Sequence, residues 1–203
     1  LFLFGKSRES IEAGPYLEAM HARGLEVLLL TEPVDEYVMQ SINEYKEKKI
    51  VSADSDDFEL EKLDQDDDAD SLDEEKTKSL CEWLKEKLGD KVSGVETGER
   101  LIDSPVCIVG GDGPGGASAR RMMKMMQGMG ESMPAPEVKL QINPKHTIIR
   151  GLYEIRDTDE ETASLVADPL LDNAMASANL LDDPREMIER SYKALEKLAP
   201  TAS

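Results

Sequence analysis

Gly111, Gly113 and Gly116 stand in the spacing of a dinucleotide-binding loop, inside Gly110-Gly111-Asp112-Gly113-Pro114-Gly115-Gly116, with a predicted strand before them. Glycines at such positions let backbone amides approach a pyrophosphate. Here Pro114 stiffens the loop, the Lys-Ser/Thr pair of a P-loop is absent, and no tandem strand–helix series surrounds it. A connector is the simpler reading; a nucleotide-binding α/β enzyme using Gly110 to Gly116 is the competing one. His146 follows the break at Asn143-Pro144 and reads as a structural hydrogen-bonding residue at a helix start. His21 falls on a predicted helix with no neighbouring constellation. Cys81 and Cys107 have neither metal-ligand spacing nor the look of a disulfide framework, which points to a reducing compartment. No catalytic, cofactor-binding or metal-ligating set follows from these residues.

The chemistry the chain does advertise is apolar contact. Met122, Met123, Met125, Met126, Met129 and Met133 fall within twelve residues, interrupted by Arg120, Arg121 and Lys124 and flanked by Gly116, Gly128, Gly130 and Pro134. Methionine is unbranched and polarizable and repacks against varied partners. A Met-rich segment between glycines therefore suits diverse apolar surfaces, and the alternative is an ordinary core. Met122, Met123, Met125 and Met126 are the expected contact residues.

A second contact element lies at the end. Ala163, Val166, Ala167, Leu170, Leu171, Ala174, Met175 and Ala178 make one apolar stripe at helical spacing. Met187, Ile188, Tyr192, Leu195 and Leu198 make another. Asp183, Pro184 and Glu186 predict the start of this last helix, with Asp183 as its cap and Glu186 completing a capping-box-like pair. The short connection from Leu180 to Asp182 predicts an antiparallel hairpin. Its thin core is completed either by the rest of the chain or by a second copy, which would give a four-helix bundle with two-fold symmetry. The second arrangement makes Leu170, Leu171, Ala174, Met175, Met187, Ile188, Tyr192 and Leu195 a homodimer interface.

The elements that position these segments follow from the pattern of the rest. The 203 residues suffice for one large or two modest domains. No apolar run reaches the ~18 residues of a membrane span, and no signal segment opens the chain. The abrupt start at Leu1-Phe2-Leu3-Phe4-Gly5 reads as a strand already under way and predicts a segment of a longer protein. The net charge is −19. Residues 54–75 carry thirteen Asp or Glu against one Lys, a net of −12, which leaves −7 for the remainder. Nucleic-acid binding is excluded by the lack of clustered cations. The acidic stretch cannot bury enough surface to offset chain entropy and predicts a solvated linker or loop; an acidic adapter arm is the sharper alternative.

Ahead of that stretch, a helix over Ser7 to Gly24, a strand over Glu26 to Leu30, a helix over Val34 to Tyr45 and a strand over Lys49 to Ser52 follow the opening strand. This order implies a small α/β layer with partly parallel pairing. Beyond it come a helix over Asp73 to Leu88 closed by Gly89, strands over Lys91 to Glu96, Pro105 to Val109 and Val138 to Ile142, and a helix from Lys145 to Tyr153. The fold class is α/β in the α+β sense: a small αβα layer subdomain (1–53), an acidic linker (54–72), and a mixed α/β domain (73–203) ending in the hairpin.

Several stretches resemble the heat-shock protein 90 chaperones. They are Ser7-Arg8-Glu9-Ser10 with Pro15-Tyr16-Leu17-Glu18-Ala19, and the more specific Glu26-Val27-Leu28-Leu29-Leu30-Thr31-Glu32-Pro33-Val34-Asp35-Glu36-Tyr37. Arg100-Leu101, Ser104-Pro105, Cys107-Ile108-Val109 and Ile142-Asn143-Pro144-Lys145-His146 continue the likeness in family order. Asp172-Asn173-Ala174-Met175 and Asp182-Asp183-Pro184-Arg185 look closest to the bacterial and mitochondrial branch. The resemblance implies the end of a middle domain followed by a dimerisation domain, with the ATP and magnesium site and the catalytic arginine elsewhere in the parent protein and no cofactor here. It implies a homodimer, partly folded client proteins as partners, no nucleic acid and no membrane. It also implies an intracellular setting: a mitochondrion or other organelle, or a bacterial-type cytoplasm. The Met-rich segment stands where the family carries a client-contacting element. The glycine-rich loop, the shortage of aromatics beside the methionines and the acidic insert depart from the family pattern. The ending Pro200-Thr201-Ala202-Ser203 lacks the acidic tail that docks tetratricopeptide co-chaperones.

Overall fold

The computed structural model describes residues 1–42, 44–55, 60, 71–110, 138–181 and 183–199. Strand β1 (Phe2–Phe4) pairs in parallel with β2 (Leu28–Leu30), Leu3 opposite Leu29. The connection between them must be a crossover. It is built from α1 (Arg8–Glu12), a 3-10 turn (Pro15–Leu17) and α2 (Glu18–Ala22). The helical stretch expected over Ser7 to Gly24, interrupted at Gly14-Pro15, divides there as the sequence indicates, into α1 and a 3-10 turn leading to α2. Ser7 starts the first by accepting the Ser10 amide, while Ser10 answers with its own side chain. Gly24, at φ +63, lets the chain leave the last of them.

After β2, α3 (Pro33–Ser41) begins with Pro33 in its first turn. It stops four residues short of the expected Tyr45, since Ile42 is extended at φ −113. A small hairpin follows, β3 (Glu44–Tyr45) against β4 (Lys48–Lys49), closed by Lys46 and Glu47, both at positive φ. The expected strand over Lys49 to Ser52 is corrected accordingly. Its first residue belongs to this hairpin, and the third rung beside β1 is residues 51–53, through the parallel bridge Phe2–Ser52 and the bond from the Ala53 amide to the Phe2 carbonyl (2.8 Å). The first unit therefore has strand order β2, β1, then 51–53, all parallel.

Helix α4 (Glu74–Leu88) is capped by Asp73, which accepts the Lys76 amide at 2.8 Å. Gly89, at φ +56, closes it as expected. The second sheet has order β5 (Gly94–Thr97), β7 (Lys139–Ile142), β6 (Val106–Val109), with β5–β7 parallel and β6–β7 antiparallel. Helix α5 (Thr147–Ile155), α6 (Glu160–Ser177) and α7 (Arg185–Leu198) complete the chain.

Strand alternation decides what each face of this sheet meets. Val106, Ile108, Leu140 and Ile142 join Leu80, Leu84, Ile149, Leu152, Leu170 and Leu171 in one core. Cys107 and Val109 instead join Leu3, Ile11, Tyr16, Leu17, Met20 and Ala53 in a second core. The two units are therefore built around one shared face. Polar bonds reinforce it: Tyr16 donates to the Ile108 carbonyl at 2.7 Å, and buried Arg100 donates to the carbonyls of Ala53 and Ser55. Asp54 and Ser55 are buried, and Ser55 bridges Gly110. The expectation that the solvated stretch begins at Asp54 is corrected by two residues: the shared face keeps both inside.

Candidate association surface

Helix α6 is started by Asp159, which accepts the Thr162 amide at 3.1 Å and its hydroxyl at 2.6 Å. Its expected stripe forms and faces inward. Ala163, Ala167, Leu170, Leu171 and Ala174 are buried in the core against the second sheet, with Val166, Met175 and Ala178 half-buried at its margin. Pro169 sits inside this helix, where it removes one backbone donor.

Helix α7 lies back along α6, as the short connection predicts. Its start differs from expectation. Pro184 is the cap position, no capping box forms, and Asp183 accepts the Arg185 amide at 3.0 Å from one residue further out. The helix divides its apolar residues between two directions. Met187, Ser191 and Ala194 are half-buried against the hairpin, together with Arg190. Ile188, Tyr192 and Leu195 are 47%, 62% and 58% exposed. Spaced by four and three, they form a continuous apolar stripe on the outside of the hairpin.

The predicted interface residues are therefore not equivalent. Leu170, Leu171 and Ala174 spend their surface inside their own chain, Met175 and Met187 lie at the margin, and Ile188, Tyr192 and Leu195 are free to meet another surface. Ion pairs brace the hairpin from its flanks. Lys197 meets Glu161 at 3.3 Å, Lys91 meets Asp168 at 2.7 Å, and Lys87 meets Glu160.

A second apolar surface, which periodicity places on a helix but does not mark as exposed, runs along α3. Val34, Tyr37 and Val38 point outward, Val34 and Tyr37 at 62% and 56% exposed, and Ile42 continues the line. Tyr45, on the neighbouring hairpin, is also exposed. The signal was the spacing of Val34, Tyr37, Val38 and Ile42; spacing alone does not say whether another element covers them.

The remaining expected sites fall as follows. Met122, Met123, Met125 and Met126, and the glycines Gly111, Gly113 and Gly116, lie outside the described residues. So does most of the acidic stretch; Leu60 packs at the edge of the shared core. His146 caps α5 by accepting the Ile148 amide at Nδ1, 3.1 Å away, which is a structural role. Burial holds the Cys107 thiol up at about 12, against the opposing pull of Arg100. Among the described residues no group of three His, Cys, Asp or Glu could hold a metal ion, and no helix is long and apolar enough to cross a membrane.

A family model described as Hsp90 protein matches residues 1–202. The chaperone protein HtpG of Desulfotalea psychrophila is 36% identical over 207 residues, covering 99% of this chain and 33% of that protein. That of Desulfitobacterium hafniense is 39% identical over 201 residues, covering 97% of this chain and 31% of the relative. The mitochondrial heat shock protein 75 kDa of Bos taurus is 31% identical over 201 residues, 97% of this chain and 29% of its own length. The chain thus spans about a third of the length of the relatives it matches.

Proposed function

The chain belongs to the heat-shock protein 90 family, and on that premise we propose that it joins two copies of a chaperone polypeptide through α7 and offers apolar surface to partly folded client proteins. The observation that carries the first role is the stripe Ile188, Tyr192 and Leu195, exposed on a helix whose opposite side, with Met187 and Ala194, is half-buried. Two such hairpins meeting about a two-fold axis bury both stripes and make four helices in contact. Leu170, Leu171 and Ala174 serve the interface from beneath, by holding α6 on the sheet so that α7 is presented rigidly. Met175 and Met187 fill its edges. A stable interface of this kind buries on the order of 1,200–2,000 Å².

The role is mechanical. Tethering two chains raises the effective concentration of whatever domains they carry, so that contacts between those domains become intramolecular. ATP and magnesium belong to another domain of the parent protein, and this segment performs no chemical step and holds no cofactor. Client contact rests on Val34, Tyr37, Val38 and Ile42 of α3 and on Met122, Met123, Met125 and Met126. The setting is intracellular, in a bacterial-type cytoplasm or an organelle.

Light scattering of the chain across a dilution series tests the first role. The expected mass is near twice 22.5 kDa, persisting to low micromolar concentration; a monomer at every concentration overturns it. Suppression of aggregation of a destabilised test protein examines the second. Replacing Tyr37 and Val38 with serine should weaken suppression without changing the scattering mass.

A further inference from the structure

Strand β2 has one open edge. Its paired neighbour is β1, and the third rung at 51–53 lies on the far side of β1. In a parallel pair, a residue that turns its amide and carbonyl toward one neighbour is followed by one that turns them the opposite way. The bonds decide which residues do which. The Leu28 amide donates to the Leu1 carbonyl at 2.9 Å, and the Leu30 carbonyl accepts the Gly5 amide at 3.1 Å, so Leu28 and Leu30 face β1. Strand β1 alternates in the same way: Phe2 faces the third rung, donating to the Val51 carbonyl at 3.2 Å and accepting the Ala53 amide at 2.8 Å. Both backbone groups of Leu29 therefore point outward. Planar trans peptides send the Val27 carbonyl and the Thr31 amide the same way. Among the described residues no backbone bond pairs with this row of four groups.

Sheets commonly guard an open edge with a charge, a proline or a bulge. The run Val27-Leu28-Leu29-Leu30-Thr31 has no charge and no proline, and its register with β1 is unbroken. Carboxylates stand only at its ends, and Glu32 is already committed to the start of α3. Leu28 is 58% exposed, although it lies in a strand. A row of open donors and acceptors at strand spacing fits one kind of partner, another extended backbone. A helix has spent its own backbone groups internally. On such a partner, alternate side chains lie beside Leu28 on one face of the sheet and beside Val27 and Leu29 on the other. All three neighbours are apolar. We propose that β2 takes up an extended, uncharged, apolar segment of a partly folded client polypeptide as an added strand, held by the backbone of Val27, Leu29 and Thr31. The proposal rests on the reading that this chain contacts such clients, and it gives that contact a backbone component separate from the apolar stripe of α3.

The test is a titration of isotope-labelled chain with two forms of the capped peptide Gln-Thr-Val-Ile-Val-Thr-Gln, followed by NMR and amide exchange. The first form is N-methylated at every second residue, which leaves one edge able to pair and stops the peptide from assembling with itself. The second is N-methylated at every residue, which closes both edges and adds apolar surface. The expected result is saturable binding of the first form, with exchange at the Leu29 and Thr31 amides slowed about tenfold or more and the Leu28 and Leu30 amides little changed. The second form should bind about tenfold more weakly or worse. Equal or tighter binding of the second form, protection confined to other residues, or no saturable binding each overturn the proposal. Leu29→Pro removes the outward donor without touching a bond to β1 and should weaken the first form's binding by a similar factor; undiminished binding to that variant, folded by circular dichroism, also overturns it. The comparison of the two peptides uses the unaltered chain, so it decides the matter even where the variant fails to fold. A chain that suppresses aggregation of a test protein yet binds both peptides alike keeps the client reading and loses the edge.

Discussion

Arg190 grips Asp172 through one edge of its guanidinium with two parallel bonds: Nε lies 2.7 Å from Oδ2 and Nη2 lies 2.8 Å from Oδ1. Asp172 is only 7% exposed. The hydrogen bonds to Asp172 are the main cause that raises the Arg190 pKa above its ordinary value, so the guanidinium is locked in its charged form. A planar fork against a carboxylate fixes angle as well as distance. The pair therefore sets how α7 lies on α6, and with it the direction in which Ile188, Tyr192 and Leu195 face.

Arg190→Ala leaves the buried Asp172 carboxylate without its charge partner. Thermal or urea denaturation should show a loss of about 2–3 kcal/mol. Arg190→Lys should recover only part of it, because an ammonium cannot make both bonds. Asp172→Leu combined with Arg190→Leu should be more stable than Arg190→Ala alone. A double variant as unstable as the single one would mean that the pair is not the source of the loss.

The stripe on α7 shows what the sequence could and could not reveal. Helical spacing marked Leu171 and Leu195 alike, and both lie on the helices expected. Spacing carries no information on the partner, so the buried residue and the exposed one read as one interface. The helix start at Asp73 and its closure at Gly89 were legible because helix ends are marked by local chemistry. The burial of Asp54 and Arg100 was not. A charged residue is placed inside by distant carbonyls and amides, here those of the shared face, and nothing beside it in the chain signals them. Lys46 and Glu47 hid the small hairpin for another reason: its two-residue turn normally advertises itself with Asn-Gly.

Glu18 ties the two units together through four hydrogen bonds. One of its carboxylate oxygens accepts the amides of Ile102 (2.8 Å), Asp103 (2.9 Å) and Ser104 (3.1 Å), and Ser104 Oγ donates to the other. Glu18→Ala should free three neighbouring amides at once. Hydrogen exchange should quicken by about tenfold or more at those amides, which corresponds to ~1.4 kcal/mol. The amides of β7, bonded on both sides within the sheet, should change much less. Uniform acceleration throughout would show global destabilisation and not a local tie.

The thiols give the alkaline limit of the fold. Burial is the first cause that raises Cys107 from 9.0 to about 12 and Cys81 from 9.0 to about 11. A thiol with a raised folded pKa binds its proton more tightly in the fold than in the unfolded chain. Its contribution is full below pH 9 and is lost as the pH climbs through 11 to 12. Stability measured in urea should therefore fall above pH 9. Alkylation at pH 8.5 should be slow at both cysteines in the folded chain and fast in denaturant. Rapid labelling of native Cys107 would contradict its burial.

Two leucines on the terminal hairpin separate folding from association. Leu171 is 4% exposed and sits in the core under the sheet, whereas Leu195 is 58% exposed on α7. A glutamate at Leu171 buries a carboxylate in the apolar cluster of Leu80, Ile108 and their neighbours. Leu171→Glu should cost about 4 kcal/mol or more and melt the helical circular-dichroism signal at lower temperature. Leu195→Glu adds a charge on a solvated face, so its melting as a monomer should shift by no more than about 0.5 kcal/mol. In a dimer, however, the same charge is carried into the centre of the bundle twice, once from each copy. Leu195→Glu should therefore convert the scattering mass to that of a single chain while its circular dichroism stays native. A Leu195→Glu chain that remains dimeric on dilution would remove α7 from the interface, whatever Leu171→Glu does.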